Sequence, residues 1–189
     1  MRTGKCLPVI LMLAGIMVLV QLVNTLTANS LVHHGIIPRT TSGLQGLLFA
    51  PFLHGSIRHL LSNLAPFVVL SWLISNEGLE RYVRVLVLIA MLGGLLVWLL
   101  GRPSIHVGAS GLIFGLWSYV LARAWFQRSL LSLLIAAAAL LGYGGLVFGF
   151  LPVPGISFES HIAGAVAGIV VGWIMHSKTL LADARESLQ

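Results

Sequence analysis

Long apolar runs broken by short polar stretches organise this chain. Six of them have helix-spanning length or close to it: residues 7–26, 57–75, 82–100, 110–126, 129–150 and 159–177. A hydrocarbon core of about 30 Å needs roughly 20 apolar residues per helix. The pattern therefore predicts an all-α integral membrane protein, a single six-transmembrane-helix bundle over residues 1–178. Residues 179–189 follow as a short polar tail. Arg2 and Lys5 precede the first run as a signal peptide's charged region would. That run is longer than a usual signal core and no small-x-small cleavage site follows, so it reads as a retained anchor.

The connections are uneven. Residues 28–56 form the one long link, polar at first (Asn29, Ser30, His33, His34) and apolar again from Leu44 to Leu53. The second part is too short to span, which predicts a segment in the interface or partly embedded against the bundle. Residues 101–109 carry Gly101, Pro103 and Gly108, and 151–158 carry Pro152, Pro154 and Gly155. Both stretches are predicted to stay non-helical on approach to the helices that follow.

Composition sharpens the class. Of 189 residues, 58% are hydrophobic and 8% charged, against roughly 25% charged in a soluble domain. The formal charge of +6 comes from scattered Lys and Arg with no basic run, so it does not indicate nucleic acid. With the N-terminus in the cytoplasm, the inner flanks hold Arg2, Lys5, Arg81, Arg84, Arg123, Arg128, Lys178 and Arg185. The outer side holds Arg39, Arg58 and Arg102. That bias satisfies the positive-inside rule and predicts both termini in the cytoplasm. Cys6 stands alone, which excludes an internal disulfide and a CxxC site.

Under this topology the second, fourth and sixth segments all run inward, and their first turns hold His59 with Asn63, Ser110, and His161. Three helices thus bring polar groups to one depth below the outer surface. Such groups are costly in lipid unless they pair or face a wet cavity. His59 and Asn63 share a helix face at i, i+4. Pro66, further along that side, predicts a kink. His161 heads a stripe with Gly164, Gly168 and Gly172; Gly111 and Gly115 form a smaller one below Ser110. Small residues four apart let helix backbones approach closely, which would bring Ser110 and His161 within hydrogen-bond reach. A serine hydroxyl needs a neighbouring base to act as a nucleophile, and His161 is placed to be that base. Glu159 lies two residues from His161, on another helix face, and the other acids lie at the inner end or in the tail. The count favours a Ser–His dyad with no third acid. Backbone N–H groups at the start of the fourth helix, those of Ala109 and Ser110, are free by helix geometry to stabilise an oxyanion. The His59 and Asn63 side chains could add to them.

At these residues the sequence resembles the rhomboid family of intramembrane serine proteases. The matching pieces are Gly108-Ala109-Ser110-Gly111, His161 with Gly164, and His59-x-x-x-Asn63. Six helices and cytoplasmic termini fit the same pattern, and the resemblance covers residues 7–177. It implies Ser110 as nucleophile, His161 as base, and His59 and Asn63 lining an oxyanion hole. It also implies transmembrane protein substrates, cleaved near the outer face and entering between the second and fifth helices. No cofactor or metal is implied, and the location it implies is the plasma membrane of a bacterium. Phe114 stands where many bacterial members carry a tyrosine that stacks on the catalytic histidine. Gly43-Leu44-Gln45-Gly46 stands where the loop often carries Trp-Arg.

Taken one at a time, these residues have plainer readings. A serine between glycines is more often packing, and His59 with Asn63 can be an interhelical hydrogen-bond pair. His54 and His106 read as solvated residues at the interface. A metal site drawn from His54, His59, His106 and His161 would lack both a carboxylate and an HExxH motif. A transporter would carry polarity through the bundle rather than in its outer third. The nearest rivals are a relative specialised for C-terminal sorting tails and a non-catalytic rhomboid-like protein that binds transmembrane helices. The second would be expected to lack the serine or the histidine.

Overall fold

The computed structural model describes residues 2–186, and the side chains of residues 4–177. Seven α-helices are described: α1 (Leu7–Leu26), α2 (Gly46–Phe49), α3 (Ile57–Ile74), α4 (Leu79–Leu100), α5 (Ser110–Gln127), α6 (Leu130–Tyr143) and α7 (Phe158–Glu186). No strand occurs among the described residues. A single antiparallel bridge joins Ile36 in the long loop to His106.

Five stretches are long and apolar enough to cross a membrane: Leu7–Leu26, Ile57–Glu77, Leu79–Leu100, Leu130–Phe150 and Phe158–Ser177. The fourth expected span, α5, is not among them, and its surroundings give the reason. Residues Ile113–Val120 of α5 are all buried, and the helix packs most extensively on α7 while touching α3, α4 and α6. A helix enclosed by protein needs no lipid-compatible face, so α5 can carry Ser110, Ser118 and Arg123.

The α5–α7 contact is made backbone to backbone. A Cβ on Gly164 would overlap the Gly111 carbonyl oxygen, and one on Gly168 would overlap that of Gly115. Ser118 Oγ donates across the same seam to the Ala165 carbonyl at 2.8 Å. The two glycine stripes therefore interlock.

Several boundaries differ from the sequence pattern. The fifth segment is helical only to Tyr143 and continues as a 3₁₀ turn over Gly144–Phe150. Gly142, Gly144, Gly145 and Gly149 weaken a regular helix there. α4 starts at Leu79, three residues early, because Gly78 turns the chain at φ +94°. α3 continues through Pro66 as one helix. The tail expected from residue 179 is helical as far as Glu186, and its side chains and residues 187–189 lie outside the described residues.

Glu77 closes the end of the bundle away from Ser110. Its carboxylate accepts from Tyr119 Oη at 2.9 Å and pairs with Arg81 Nε at 2.6 Å and Arg123 Nη1 at 3.1 Å. One buried carboxylate thus ties the α3–α4 corner to α5. At the other end, Arg39 caps α4. Its Nη1 donates to the Leu99 and Gly101 carbonyls at 3.1 and 2.9 Å, where cations favour the helix dipole. Trp98 Nε1 returns a bond to the Thr40 carbonyl at 2.8 Å. The Gly43 and Gly46 positions lie against the backbone of Ile37 and of Gly35–Ile36, leaving no room for a Cβ.

Candidate active site

Ser110 is the first residue of α5, half-buried, and reached through a turn that needs glycine. Gly108 has φ +118°, and its N–H donates to the Ala50 carbonyl at 2.9 Å. A Cβ there would also lie 2.7 Å from His59 Cε1, 2.8 Å from His59 Nε2 and 3.7 Å from Asn63 Nδ2. The space vacated by that Cβ is therefore where the two polar side chains of α3 converge, two residues before the serine. Ser56 caps α3 by accepting from the His59 N–H at 3.1 Å, which fixes the turn carrying His59. Asn63 is buried, yet its Nδ2 has no hydrogen-bond partner. A buried unpaired donor is uncommon and calls for an explanation.

His161 is in the first turn of α7, 7% exposed. Its ring stacks on Phe114 with centroids 4.2 Å apart and planes 5° from parallel, and Phe150 packs edge-on against Phe114 at 5.1 Å. His161 Nδ1 bonds to the Gly149 carbonyl at 2.7 Å. A carbonyl only accepts, so Nδ1 carries the proton and, in the neutral ring, Nε2 carries the lone pair. A peptide carbonyl does the orienting that a carboxylate does in soluble serine hydrolases. Glu159 faces Arg102 at 3.0 Å instead.

The structure brings Ser110 and His161 to facing first turns of interlocked helices. The position of a Gly111 Cβ is 3.1 Å from the Ser160 carbonyl oxygen. It does not join the two by a hydrogen bond; Ser110 Oγ has none among the described residues. One proposed oxyanion donor is changed by the geometry. The Ala109 N–H is already donated to His54 Nε2 at 3.3 Å, which leaves the Ser110 N–H and those next in the first turn.

A Rhomboid domain model matches residues 41–178. The chain belongs to the rhomboid family. An uncharacterized protein of Mycobacterium tuberculosis is 39% identical over 176 residues, covering 88% of this chain and 73% of that protein. Rhomboid-like protein 11, chloroplastic, of Arabidopsis thaliana is 31% identical over 141 residues, covering 67% and 50%. A putative rhomboid protein of Acanthamoeba polyphaga mimivirus is 32% identical over 139 residues, covering 69% and 75%. Family membership and the apolar helices make this an integral, multi-pass membrane protein.

Two histidines of this rhomboid require correction. His54 and His106, expected at a solvated interface, are 0% and 1% exposed. His54 bonds to the Ala109 N–H, stands edge-on to His59 at 5.0 Å, and has its own carbonyl held by Asn24 Nδ2 at 3.1 Å. It thus supports both the serine turn and a proposed oxyanion donor. His106 Nδ1 bonds to Ser157 Oγ at 2.5 Å and Nε2 to the Arg102 carbonyl at 3.1 Å. Sequence reasoning had one usable signal, since His54 and His106 each lie within five residues of a motif. Among the described residues no three His, Cys, Asp or Glu side chains gather as metal ligands.

Burial, reinforced by the nearby His59, lowers the His54 pKa from 6.5 to about 4, with the Phe52 backbone carbonyl pulling the other way. The folded protein keeps this ring neutral down to about pH 4, while the unfolded chain takes up the proton near 6.5. Stability contributed here is complete above pH 6.5 and is lost as pH falls toward 4. Thermal unfolding in detergent between these values should therefore show a falling midpoint, with a shallower slope in His54→Gln. An unchanged slope would show that His54 does not titrate as described.

Proposed function

We propose that this rhomboid is an intramembrane serine endopeptidase that hydrolyses a peptide bond in or beside a substrate's transmembrane helix, near the outer face of the membrane. The observation that carries the reading is the His161 ring: its Nδ1–H is fixed on Gly149 and its Nε2 is free for a proton. It stands one turn before Gly164, which lies on the Gly111 carbonyl beside Ser110. In the first half-reaction Ser110 Oγ attacks the peptide carbonyl carbon and gives its proton to His161 Nε2. The C–N bond breaks as that proton passes to the leaving amine, and an ester to Ser110 remains. Water then attacks the ester, His161 takes its proton, and the proton returns to Ser110 Oγ as the acid product leaves. The oxyanion is held by the Ser110 N–H, His59 Nε2 and the unpaired Nδ2 of Asn63.

The same reading takes α5 as the fourth of six membrane crossings and the apolar loop around α2 as partly embedded. Both termini then face the cytoplasm of a bacterial cell. Substrates enter between α3 and α6, with α6 and residues 144–158 as the moving side; tethering α6 to α3 is expected to block cleavage.

A fluorophosphonate probe tests the dyad directly, because phosphonylation needs an activated serine and no transmembrane substrate. Labelling is expected on Ser110 in the wild type and to be absent in His161→Ala. Equal labelling of the histidine variant would remove His161 as the base.

A further inference from the structure

Ser110 and His161 each follow, four residues on, a side chain that is bonded to its counterpart. His106 precedes Ser110, Ser157 precedes His161, and Ser157 Oγ lies 2.5 Å from His106 Nδ1. The neighbours fix the direction of that bond. His106 Nε2 is 3.1 Å from the Arg102 carbonyl, which only accepts, so in the neutral ring Nε2 carries the proton and Nδ1 the lone pair. Ser157 therefore donates to Nδ1, and its oxygen accepts from the Ser160 hydroxyl at 2.7 Å and the Ser160 N–H at 3.3 Å. With its proton and both lone pairs engaged, Ser157 is a connector and not a second nucleophile.

We propose that His106 is a positioning residue for the Ser110–His161 reaction, setting through Ser157 where the first turn of α7 stands relative to the serine. The inference rests on the protease reading above. The His106 end is fixed: the residue is 1% exposed, and its main chain exchanges two hydrogen bonds with Ile36 at 2.9 and 3.0 Å. At the other end the Ser157 carbonyl accepts from the Ser160 N–H at 3.1 Å and the His161 N–H at 3.4 Å. The place of Ser157 thus passes directly to the backbone of His161. The Gly149 carbonyl turns the His161 ring; Ser157 locates the turn that carries it. Packing alone gives the linker little support here. A cavity behind it is lined by His106, Ser160 and five glycines, Gly93, Gly94, Gly108, Gly111 and Gly164 among them, and a glycine offers no side chain to brace against. The buried bond from His106 therefore bears on the alignment, and His106 itself touches no reacting atom.

The test reads the rate at which a compact fluorophosphonate labels Ser110 in the full chain in proteoliposomes. His106→Asn puts an amide oxygen where Nδ1 stood and keeps the bond to Ser157, whereas His106→Gln reaches the Nε2 position and loses it. His106→Gln should slow labelling by about tenfold, less than the ~10²-fold that a misplacement of about 1 Å costs, and His106→Asn should stay within about threefold of wild type. A role in packing alone reverses that order, since the shorter asparagine leaves the larger void. Ser157→Ala should slow labelling as His106→Gln does, and Ser157→Thr, which keeps the hydroxyl, should not. The double variant of His106→Gln with Ser157→Ala should be no slower than Ser157→Ala, because both changes remove one bond. Unchanged rates in His106→Gln and Ser157→Ala, a slower His106→Asn than His106→Gln, or losses that multiply in the double variant overturn the role. If His106→Gln does not fold, equal rates in Ser157→Ala and Ser157→Thr overturn it. Wild-type protein that the probe does not label overturns the protease reading itself, and the role of His106 with it.

Discussion

Ser110→Ala is expected to abolish cleavage of a transmembrane substrate and leave the fold untouched. Both halves follow from the same atoms. Ser110 Oγ has no hydrogen bond among the described residues and its side chain is only half-buried, so removing the hydroxyl orphans no partner and opens no cavity. The neighbours that shape the turn are Gly108, at φ +118°, and the Ala109 N–H on His54; both survive the substitution. The lost atom is the proposed nucleophile, whose removal lowers turnover by about 10⁴-fold or more in serine hydrolases. Cleavage of a model substrate in proteoliposomes, set beside thermal unfolding in detergent, separates the two effects. Residual cleavage above a hundredth of wild type (about 3 kcal/mol of barrier) would refute Ser110 as nucleophile. A large drop in unfolding temperature would instead reveal a structural role.

Gly164→Ala should reverse that pattern, damaging fold and activity together. The added methyl would overlap the Gly111 carbonyl oxygen, a backbone atom that no rotamer change can move aside. α5 and α7 must separate, and Ser118 Oγ then loses its 2.8 Å bond to Ala165. Overpacking a tight contact costs about 1–3 kcal/mol, more where neither side can yield. The separation also moves Ser110 away from His161, and a misplacement of about 1 Å is enough for a 10²-fold loss of rate. Gly111→Ala is the milder control, since its Cβ would stand 3.1 Å from the Ser160 carbonyl. Unfolding temperature and cleavage should fall in the order wild type, Gly111→Ala, Gly164→Ala. Full activity in Gly164→Ala would mean that the close contact does not align the pair.

The sequence made some of this readable and hid the rest for physical reasons. Helix α7, the α5–α7 stripes and the three motifs were legible because apolar runs and small residues four apart constrain a membrane bundle strongly. The end of α6 at Tyr143 was not, since a glycine-rich apolar stretch reads alike as α or 3₁₀. The burial of His54 and His106 was hidden because their partners are a backbone N–H, a backbone carbonyl and a distant serine, none of which leaves a pattern in sequence. The Gly149 carbonyl is the plainest case. Any residue type offers a carbonyl, so only the course of the chain reveals that this one faces His161. The ties of Glu77 to Arg123 and of Arg102 to Glu159 are likewise long-range pairings.

That choice of a main-chain oxygen behind His161 has an electrostatic consequence. Bringing an isolated ionised carboxylate into a poorly polarisable medium costs several kcal/mol even after relaxation, and near lipid there is little water to offset it. A peptide dipole directs the imidazole without any such ion, so no countercharge must be kept beside Ser110. The formal charges at the Ser110 end of the bundle can then sit at its rim, where Arg102 and Glu159 meet.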